Sequence, residues 1–379
     1  MAILRTARAD ELGALVALSD RTFRRPGQTS MGTAYAQLFS KDNTDHLLVM
    51  EEDGIPAALA GLLKSELSIE GCDVTVVSMG SVCTEPEYRG RHYADKLVKM
   101  SLDKCREDKA HLLLVSGNLS IYLRNDCMEV GSYRSFTIAS EVELAAFTNG
   151  AAGMGMTFDC FDESRDLPGM LALMQAEQAY YKRTADQLAL LIRSAAVLSN
   201  KPAEQHVLLA YDASGVAAGY IVFGFVDGKA VVVEFAGGDD AIIGLLGELF
   251  RRFGDCRIQL PVMGDRHLLA EQLAAAGCAF TEQTIPGTIR MIDFPGLWEA
   301  LEPYRMRRLQ GHAAADLTLA ECGSGYRLQF GEETLTLDLR GATNLVFNGP
   351  QLQAPGELRR LLGLLFPLPF VNTNNLNYV

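Results

Sequence analysis

The 379-residue sequence predicts an α+β protein made of two copies of one mixed unit followed by a smaller third unit. Three observations carry that prediction. The order of apolar runs and turn signals between Asp45 and Ile138 returns between His206 and Asp293. A glycine-rich stretch, FTNGAAGMGM from Phe147 to Met156, reads as a linker between them. From Tyr304 onward, short alternating runs with glycine turns replace the longer pattern. Two or three domains suit this length at about 100 to 200 residues each, and the expected boundaries are 1–147, 155–298 and 303–379.

In the first copy, DHLLVMEE, IPAALAGLLKSELSI and CDVTVVSMGSVCT are apolar runs separated by Asp53-Gly54 and Glu70-Gly71, and read as neighbouring antiparallel strands. Pro86 cannot donate to a ladder, so the third run ends near Thr84. Beyond it the period becomes helical: Ala94, Leu97, Val98, Leu102 and Cys105 share one face, opposite Asp95, Lys96, Lys99 and Asp103. This helix is expected to start at about Arg91. HLLLV, from His111, is a short buried strand, and NLSIYLRND a short helix or turn before a further strand.

The second copy opens on LPGMLALMQAEQAYYKR, read as helical, and continues in a three-stranded meander from His206 to Gly238. A helix (Ala241 to Phe253), a strand (RIQLP), a helix (His267 to Ala276) and a strand pair near Ala279 to Asp293 follow. In the third unit YRLQFG, ETLTLDL and NLVFNG read as strands, and GELRRLLGLLFP as a helix presenting Leu358, Leu361, Leu362 and Leu365 on one face. The chain stops in LPFVNTNNLNYV, which lacks the polar character of a frayed terminus.

A formal net charge of −13 argues against nucleic acid, whose binding needs a surplus of Lys and Arg on some face. It weakly favours a cationic small molecule, although most of those charges read as a solvated surface. No apolar run reaches 18 residues, so no membrane span is expected. The N-terminus MAILRTARADELGAL has no apolar core of the signal-peptide kind. Eight cysteines are scattered singly, which suits reduced thiols in a cytoplasm. No metal-ligand spacing, P-loop, zincin, nucleophile-elbow or dinucleotide fingerprint is present, so no metal is expected.

The stretch EPEYRGRHYADKL lies between a strand and a helix. A helix N-terminus leaves backbone N–H groups unpaired and carries partial positive charge, so a diphosphate can sit on the amides from Gly90 to Asp95. Arg89 and Arg91 add fixed charge there. The preceding strand must splay from its neighbour after Gly80 to offer Val82, Cys83 and Thr84 to an amide-bearing ligand arm. A capped surface helix with incidental basic residues is the plainer alternative.

The stretch resembles the acyl-CoA loop of the GNAT N-acetyltransferases, in which a strand ending in Pro is followed by Arg/Gln-x-x-Gly-x-Gly/Ala and a helix. Arg89 and Ala94 match the first and last positions, Gly90 supports the turn, and His92 stands where the family usually has glycine. The resemblance implies an acetyl-CoA site formed by Val82, Cys83, Thr84, Arg89, Gly90, Arg91, His92, Tyr93, Ala94 and Asp95, with Asn118 at the head of NLSIYLRND. It also implies that Tyr122 returns a proton to the departing sulfur. On its own, Tyr122 could equally be a buried aromatic.

Two such copies and a mixed third unit resemble the Eis family, implying two tandem GNAT-like α/β/α domains followed by a smaller sterol-carrier-like α+β domain. In that family the C-terminal carboxylate enters the first domain's site and takes the proton from the amine, which places the role on Val379. The strand segment Ser78-Met79-Gly80-Ser81 offers no carboxylate of its own. A tail packed for stability or for a subunit interface is the alternative. The second copy runs from VVVEFAGG into DDAIIGLL, whose aspartates would repel a diphosphate, and reads as scaffold and cleft wall.

The expectation is a cytoplasmic, homo-oligomeric, acetyl-CoA-dependent N-acetyltransferase acting on a primary amine of a small cationic molecule. The attack is direct, because no histidine is placed to activate Cys83. A catalytically silent acyl-CoA or ligand-binding protein, and a protein lysine acetyltransferase, are the alternatives.

Overall fold

The computed structural model describes residues 2–144, 155–254, 256–310, 312–350 and 354–379. Most of the glycine-rich linker, residues 147–154, lies outside the described residues. In the first copy the strands are β1 (Ala2–Thr6), β2 (Leu47–Glu52), β3 (Ile55–Ile69), β4 (Cys72–Thr84), β5 (Leu112–Val115) and β6 (Tyr133–Ile138). The turn β2–β3 is made by Asp53 and Gly54 at φ +53° and +81°, and the turn β3–β4 by Glu70 and Gly71 at +51° and +78°. Two consecutive positive φ values are what a two-residue hairpin needs to match strand twist, so an acidic residue followed by glycine sets both registers.

The second copy contributes β7 (Thr157–Cys160), β8 (Ala179–Tyr181), β9 (Gln205–Tyr211), β10 (Ala217–Val226), β11 (Lys229–Gly237), β12 (Arg257–Met263), β13 (Ala279–Gln283) and β14 (Thr288–Met291). The segment expected as one helix through Arg183 is helical only from Glu163 to Gln175; Ala179–Tyr181 instead pairs antiparallel with the far end of β3. Tyr180 and Tyr181 suit a strand better than a helix, and the end of β3 offers them a free edge.

The two copies exchange strands. The first sheet runs β1-β2-β3-β4-β5-β14, with β8 beside β3, and the second runs β13-β6-β12-β11-β10-β9-β7. The expected strand pair near Ala279 to Asp293 is therefore not a pair: β13 joins β6 in the second sheet, and β14 joins β5 in the first. Phe136 and Ile138 of β6 are fully buried in the second core, and Ile289 and Met291 of β14 in a core shared with the third unit. At about 1.5–3 kcal/mol per large buried apolar side chain, each exchanged strand is held firmly.

The third unit has a three-stranded antiparallel sheet of β15 (Thr318–Cys322), β16 (Gly325–Phe330) and β17 (Glu333–Leu337). NLVFNG, expected as a strand, belongs to a helix from Leu339 to Asn348. The Asp338 side chain accepts from the Gly341 N–H at 2.7 Å, and Ala342, Leu345 and Val346 bury one helical face. β15 was not expected from the sequence. The helix Gly356–Leu365 buries the four leucines foreseen for it. Beyond it the tail turns back into the body of the molecule, burying Phe370, Val371, Asn375, Leu376 and Asn377.

Candidate active site

β4 and β5 run parallel and stay paired only from Val76–Leu112 to Met79–Val115. The two strands separate after Met79, a residue sooner than the Gly80 expected. On its other side β4 keeps pairing with β3, but Gly61 faces Gly80 while Leu59 faces Cys83, so the step between these pairs takes three residues on β4 and two on β3. The extra residue is a β-bulge, with Ser81 at φ +51°, and it turns the segment Ser81–Thr84 away from β5. The result is a wedge between the strands, flanked by Val82, Cys83 and Thr84 as the sequence suggested.

Below the wedge, Pro86–Tyr88 form a single 3-10 turn, Gly90 takes φ +81°, and the helix runs from Tyr93 to Glu107. It starts two residues later than expected, because His92 sits at φ +58°, ψ 29° and interrupts the right-handed path. This left-handed conformation explains why glycine suits the position. Histidine is among the side chains that tolerate it, at about 1–2 kcal/mol. The His92 side chain is 82% exposed and faces Asp95 at 3.4 Å, so the backbone path is kept and the imidazole lies outside it. The first-turn amides of Tyr93, Ala94 and Asp95 precede the Lys96 N–H, which is already bonded to the His92 carbonyl at 3.3 Å.

The basic residues of this loop are not equivalent. Arg91 is bound to Glu52 on β2, its Nη1 donating to both carboxylate oxygens at 2.7 Å, and it lies over the Tyr88 ring. Glu52 also accepts from the Tyr93 hydroxyl. Arg89 makes one long contact, from Nε to the Thr84 carbonyl at 3.4 Å. It is the better-placed cation for an incoming anion. Asp95 is balanced by Arg124 at 3.3 Å, a residue that no motif marks in the sequence. Asn118 stands on the rim beyond β5, exposed, donating to Glu129 at 2.9 Å.

Tyr122 lies on a single helical turn, Ser120–Leu123, after β5. It is 6% exposed and packs in the core that also holds Met79, Val115 and Cys127. Burial pushes its hydroxyl up to about 12, with the Cys127 and Cys83 thiols adding to the rise. It therefore stays protonated at neutral pH, as a proton donor must. Burial likewise pushes the Cys83 thiol up to about 12. A thiol so far above its ordinary value near 8.5 is almost entirely protonated and is a poor nucleophile.

The C-terminus reaches this wedge. Val379 packs against the core cluster that contains Leu59 and Cys83, and a Cβ added to Gly80 would lie 2.6 Å from the Val379 carboxyl carbon and 2.8 Å from its oxygen. Glycine at position 80 is thus the residue that lets the chain end approach the strand. A small cavity beside it is walled by Ser78, Ser116, Tyr181, Asn377, Tyr378 and Val379, among others. Among the described residues lining it, the terminal carboxylate is the only carboxylate. No local pattern in the sequence marks Gly80 as the neighbour of the chain end.

A larger open cleft of about 1370 Å³ lies between the two copies and is bounded by Asp42, Lys64, Glu66, Lys182, Arg183 and Asn377. Lys182 is paired with Asp73 at 2.5 Å, and Arg183 with Glu234 at 2.7 Å. The wall therefore sets Asp42 and Glu66 against Lys64, whose ammonium donates to the Asp108 carbonyl at 3.1 Å. In the second copy the helix Asp239–Phe253 begins with the two aspartates noted in the sequence.

Residues 4–129 match the model of the acetyltransferase (GNAT) domain family. No curated protein matches the chain. Among solved structures, a GCN5-related N-acetyltransferase from Kribbella flavida aligns over 100% of this chain and 98% of its own, at 16% identity and a TM-score of 0.66. A protein from Enterococcus faecalis V583 described as a probable N-acyltransferase aligns over 97% and 98%, at 13% identity and a TM-score of 0.67. Eis1 from Mycobacterium abscessus aligns over 98% and 100%, at 13% identity and a TM-score of 0.63. At such identities the likeness is one of fold, and it runs the length of the chain. The wedge, the loop and the helix described above all lie within residues 4–129, and that segment carries a GNAT acetyltransferase domain.

Proposed function

We propose that the protein transfers an acetyl group from acetyl-CoA to the primary amine of a small cationic molecule by direct attack. The observation that carries this reading is the terminal carboxylate of Val379 set against Gly80, in a cavity lined by no other carboxylate among the described residues.

The residues present fit the co-substrate. The wedge offers the backbone of Val82 to Thr84 to an extended amide-bearing arm. The amides of Tyr93, Ala94 and Asp95, with Arg89, suit a diphosphate. Bound there, acetyl-CoA supplies an activated thioester carbonyl. The N–H of Val82, on the bulged segment outside the ladder register, would serve as donor to the carbonyl oxygen. The Val379 carboxylate takes the proton of the attacking amine, and Tyr122, held neutral by burial, gives one to the leaving sulfur. Cys83 stays a protonated wall residue. The amine enters from the inter-copy cleft, where Asp42 and Glu66 favour a cation. The third unit serves to present the tail.

The test is thiol release from acetyl-CoA against polyamines, aminoglycosides and lysine peptides, alongside a chain extended by two residues after Val379. The expected result is release with a small polyamine or aminoglycoside and its loss in the extended chain. Full activity of the extended chain would refute the terminal base. Binding of acetyl-CoA without release by any acceptor would identify a binding protein instead, and release with peptides alone a protein acetyltransferase.

A further inference from the structure

The second copy retains the wedge without the cofactor loop. β11 pairs with β12 only from Lys229 to Val231 and then diverges, and its register with β10 shifts between the Val222–Glu234 and Phe223–Val232 pairs, a bulge like that of the first copy. In the first copy the bulged segment opens onto the site. In the second, it carries Glu234, which faces Arg183.

Arg183 is held by partners at Nε, Nη1 and Nη2. Its Nη1 and Nη2 donate to Glu234 Oε1 and Oε2, each at 2.7 Å, and Tyr220 donates to the same Oε1 at 3.0 Å. Nη1 also reaches Met174 Sδ at 3.5 Å, and Nε donates to Asn377 Oδ1 at 2.6 Å. The Arg183 side chain is 2% exposed, and Tyr220 and Asn377 are buried. Burial opposes the guanidinium charge, but Glu234 outweighs it and holds the pKa above its ordinary value. The planar fork of arginine suits this geometry in a way a lysine could not. Tail and second copy are thus joined by a buried, charge-assisted hydrogen bond two residues from the chain end.

We propose that Arg183, fixed by Glu234 and Tyr220, is a positioning residue for acetyl transfer, holding Asn377 and thereby setting the Val379 carboxylate against Gly80. The second copy supplies this clamp in place of a second cofactor site. The inference rests on the proton-accepting role proposed for Val379. Two residues span about 7 Å when extended, so a tail loose at Asn377 lets the carboxylate move by several ångströms. A displacement of about 1 Å is enough to cost a reaction about 10²-fold. Arg183 and Asn377 also line the inter-copy cleft, so an acceptor docking there meets the clamp directly.

Replacing Arg183 would leave the largely buried Glu234 carboxylate without its countercharge, a change that destabilises the fold by itself. Asn377→Leu avoids this, removing the acceptor while Arg183 and Glu234 remain paired, and Asn377→Asp restores an acceptor. Full-length proteins are compared by carboxypeptidase release of Val379 in the native state, and by turnover with the fastest amine of the acceptor screen, with and without formate. Asn377→Leu is expected to release Val379 about tenfold faster and to lose at least about tenfold in kcat, with KM for acetyl-CoA within about twofold and partial recovery by formate. Asn377→Asp is expected to release Val379 at the parental rate and to recover most of the kcat lost in Asn377→Leu. Release of Val379 at the parental rate from Asn377→Leu would overturn the clamp. Loss of activity in the extended chain together with parental kcat in Asn377→Leu would overturn the clamp and leave the terminal base standing. Full activity in the extended chain would overturn the base.

Discussion

Gly80→Ala is the sharpest perturbation of the site, because it adds one methyl group where the chain end meets the wedge. The backbone of Gly80 is not left-handed, so alanine is compatible with it. The obstacle is contact: the new Cβ would sit 2.6 Å from the Val379 carboxyl carbon, 2.8 Å from its oxygen and 2.9 Å from Cγ1. Ordinary carbon contacts lie at about 3.5–4.0 Å, so the chain end must retreat by about 1 Å. Overpacking a closed core costs about 1–3 kcal/mol, but a terminal residue can give way, so stability should fall by less than that. Catalysis has no such freedom, and about 10²-fold in kcat is expected from a base misplaced by about 1 Å. Initial rates of thiol release, acetyl-CoA affinity by calorimetry and a urea titration separate these effects. The expected pattern is a fall of about 10² in kcat with near-parental affinity and stability. A cycle with a chain lacking Val379 makes the reasoning refutable: if both changes act on one carboxylate, the double variant is no slower than the slower single variant. Parental kcat in Gly80→Ala, or additive losses in the cycle, would refute the placement of the base.

Tyr122→Phe should lower kcat by about 10²-fold or more, with little change in KM for acetyl-CoA and an intact fold, as checked by steady-state kinetics and circular dichroism. Cys83→Ala should keep kcat within about threefold, and rapid-mixing experiments should show no acetyl-enzyme burst, because the Cys83 thiol is protonated by burial. Arg89→Ala should weaken acetyl-CoA binding about tenfold and flatten its salt dependence, whereas Arg91→Ala, whose charge is met by Glu52, should do so by less, as read by calorimetry at two salt concentrations. Tyr122 and Tyr181 are both raised by burial to about 12, so unfolded tyrosine ionises from about pH 10 while the folded groups stay neutral. Their contribution to stability is complete below pH 10 and is lost as pH rises through 12, by about 1 kcal/mol for each tyrosine at pH 11, which urea titrations at pH 9 and 11 would measure.

Much of the first copy could be read from sequence because its signals are local. Asp53-Gly54 and Glu70-Gly71 demand hairpins, and Leu97, Val98, Leu102 and Cys105 demand a helix, whatever lies nearby. The strand exchange could not be read, because TIRM and YRSFTI carry the period of a strand but nothing that names its partner. NLVFN fits either period over so short a run, and the cap at Asp338 decides for the helix. Within the site, the loop from Arg89 to Asp95 was legible, but the inequality of Arg89 and Arg91 was not, since it depends on Glu52 from a distant strand. Arg183 closes the segment that reads as helical in the sequence. Its burial depends on the helix stopping at Gln175 and on Asn377 arriving from the far end of the chain. Contacts between residues remote in sequence carry no local signature, and the approach of Val379 to Gly80 and the bond of Arg183 to Asn377 are both of that kind.

The exchanged strands have a further consequence for how the chain holds together. Since β6 lies inside the second sheet and β14 closes the first, each half carries a piece that the other cannot do without. Expressed alone, the first 144 residues would leave β5 with a bare edge and would present β6, with Phe136 and Ile138, to solvent as a template for aggregation. A break between Leu144 and Gly155, by contrast, severs only one covalent link and leaves both shared sheets in place. Two fragments divided there should find each other by complementation, and active protein should be recoverable from the mixture but from neither piece.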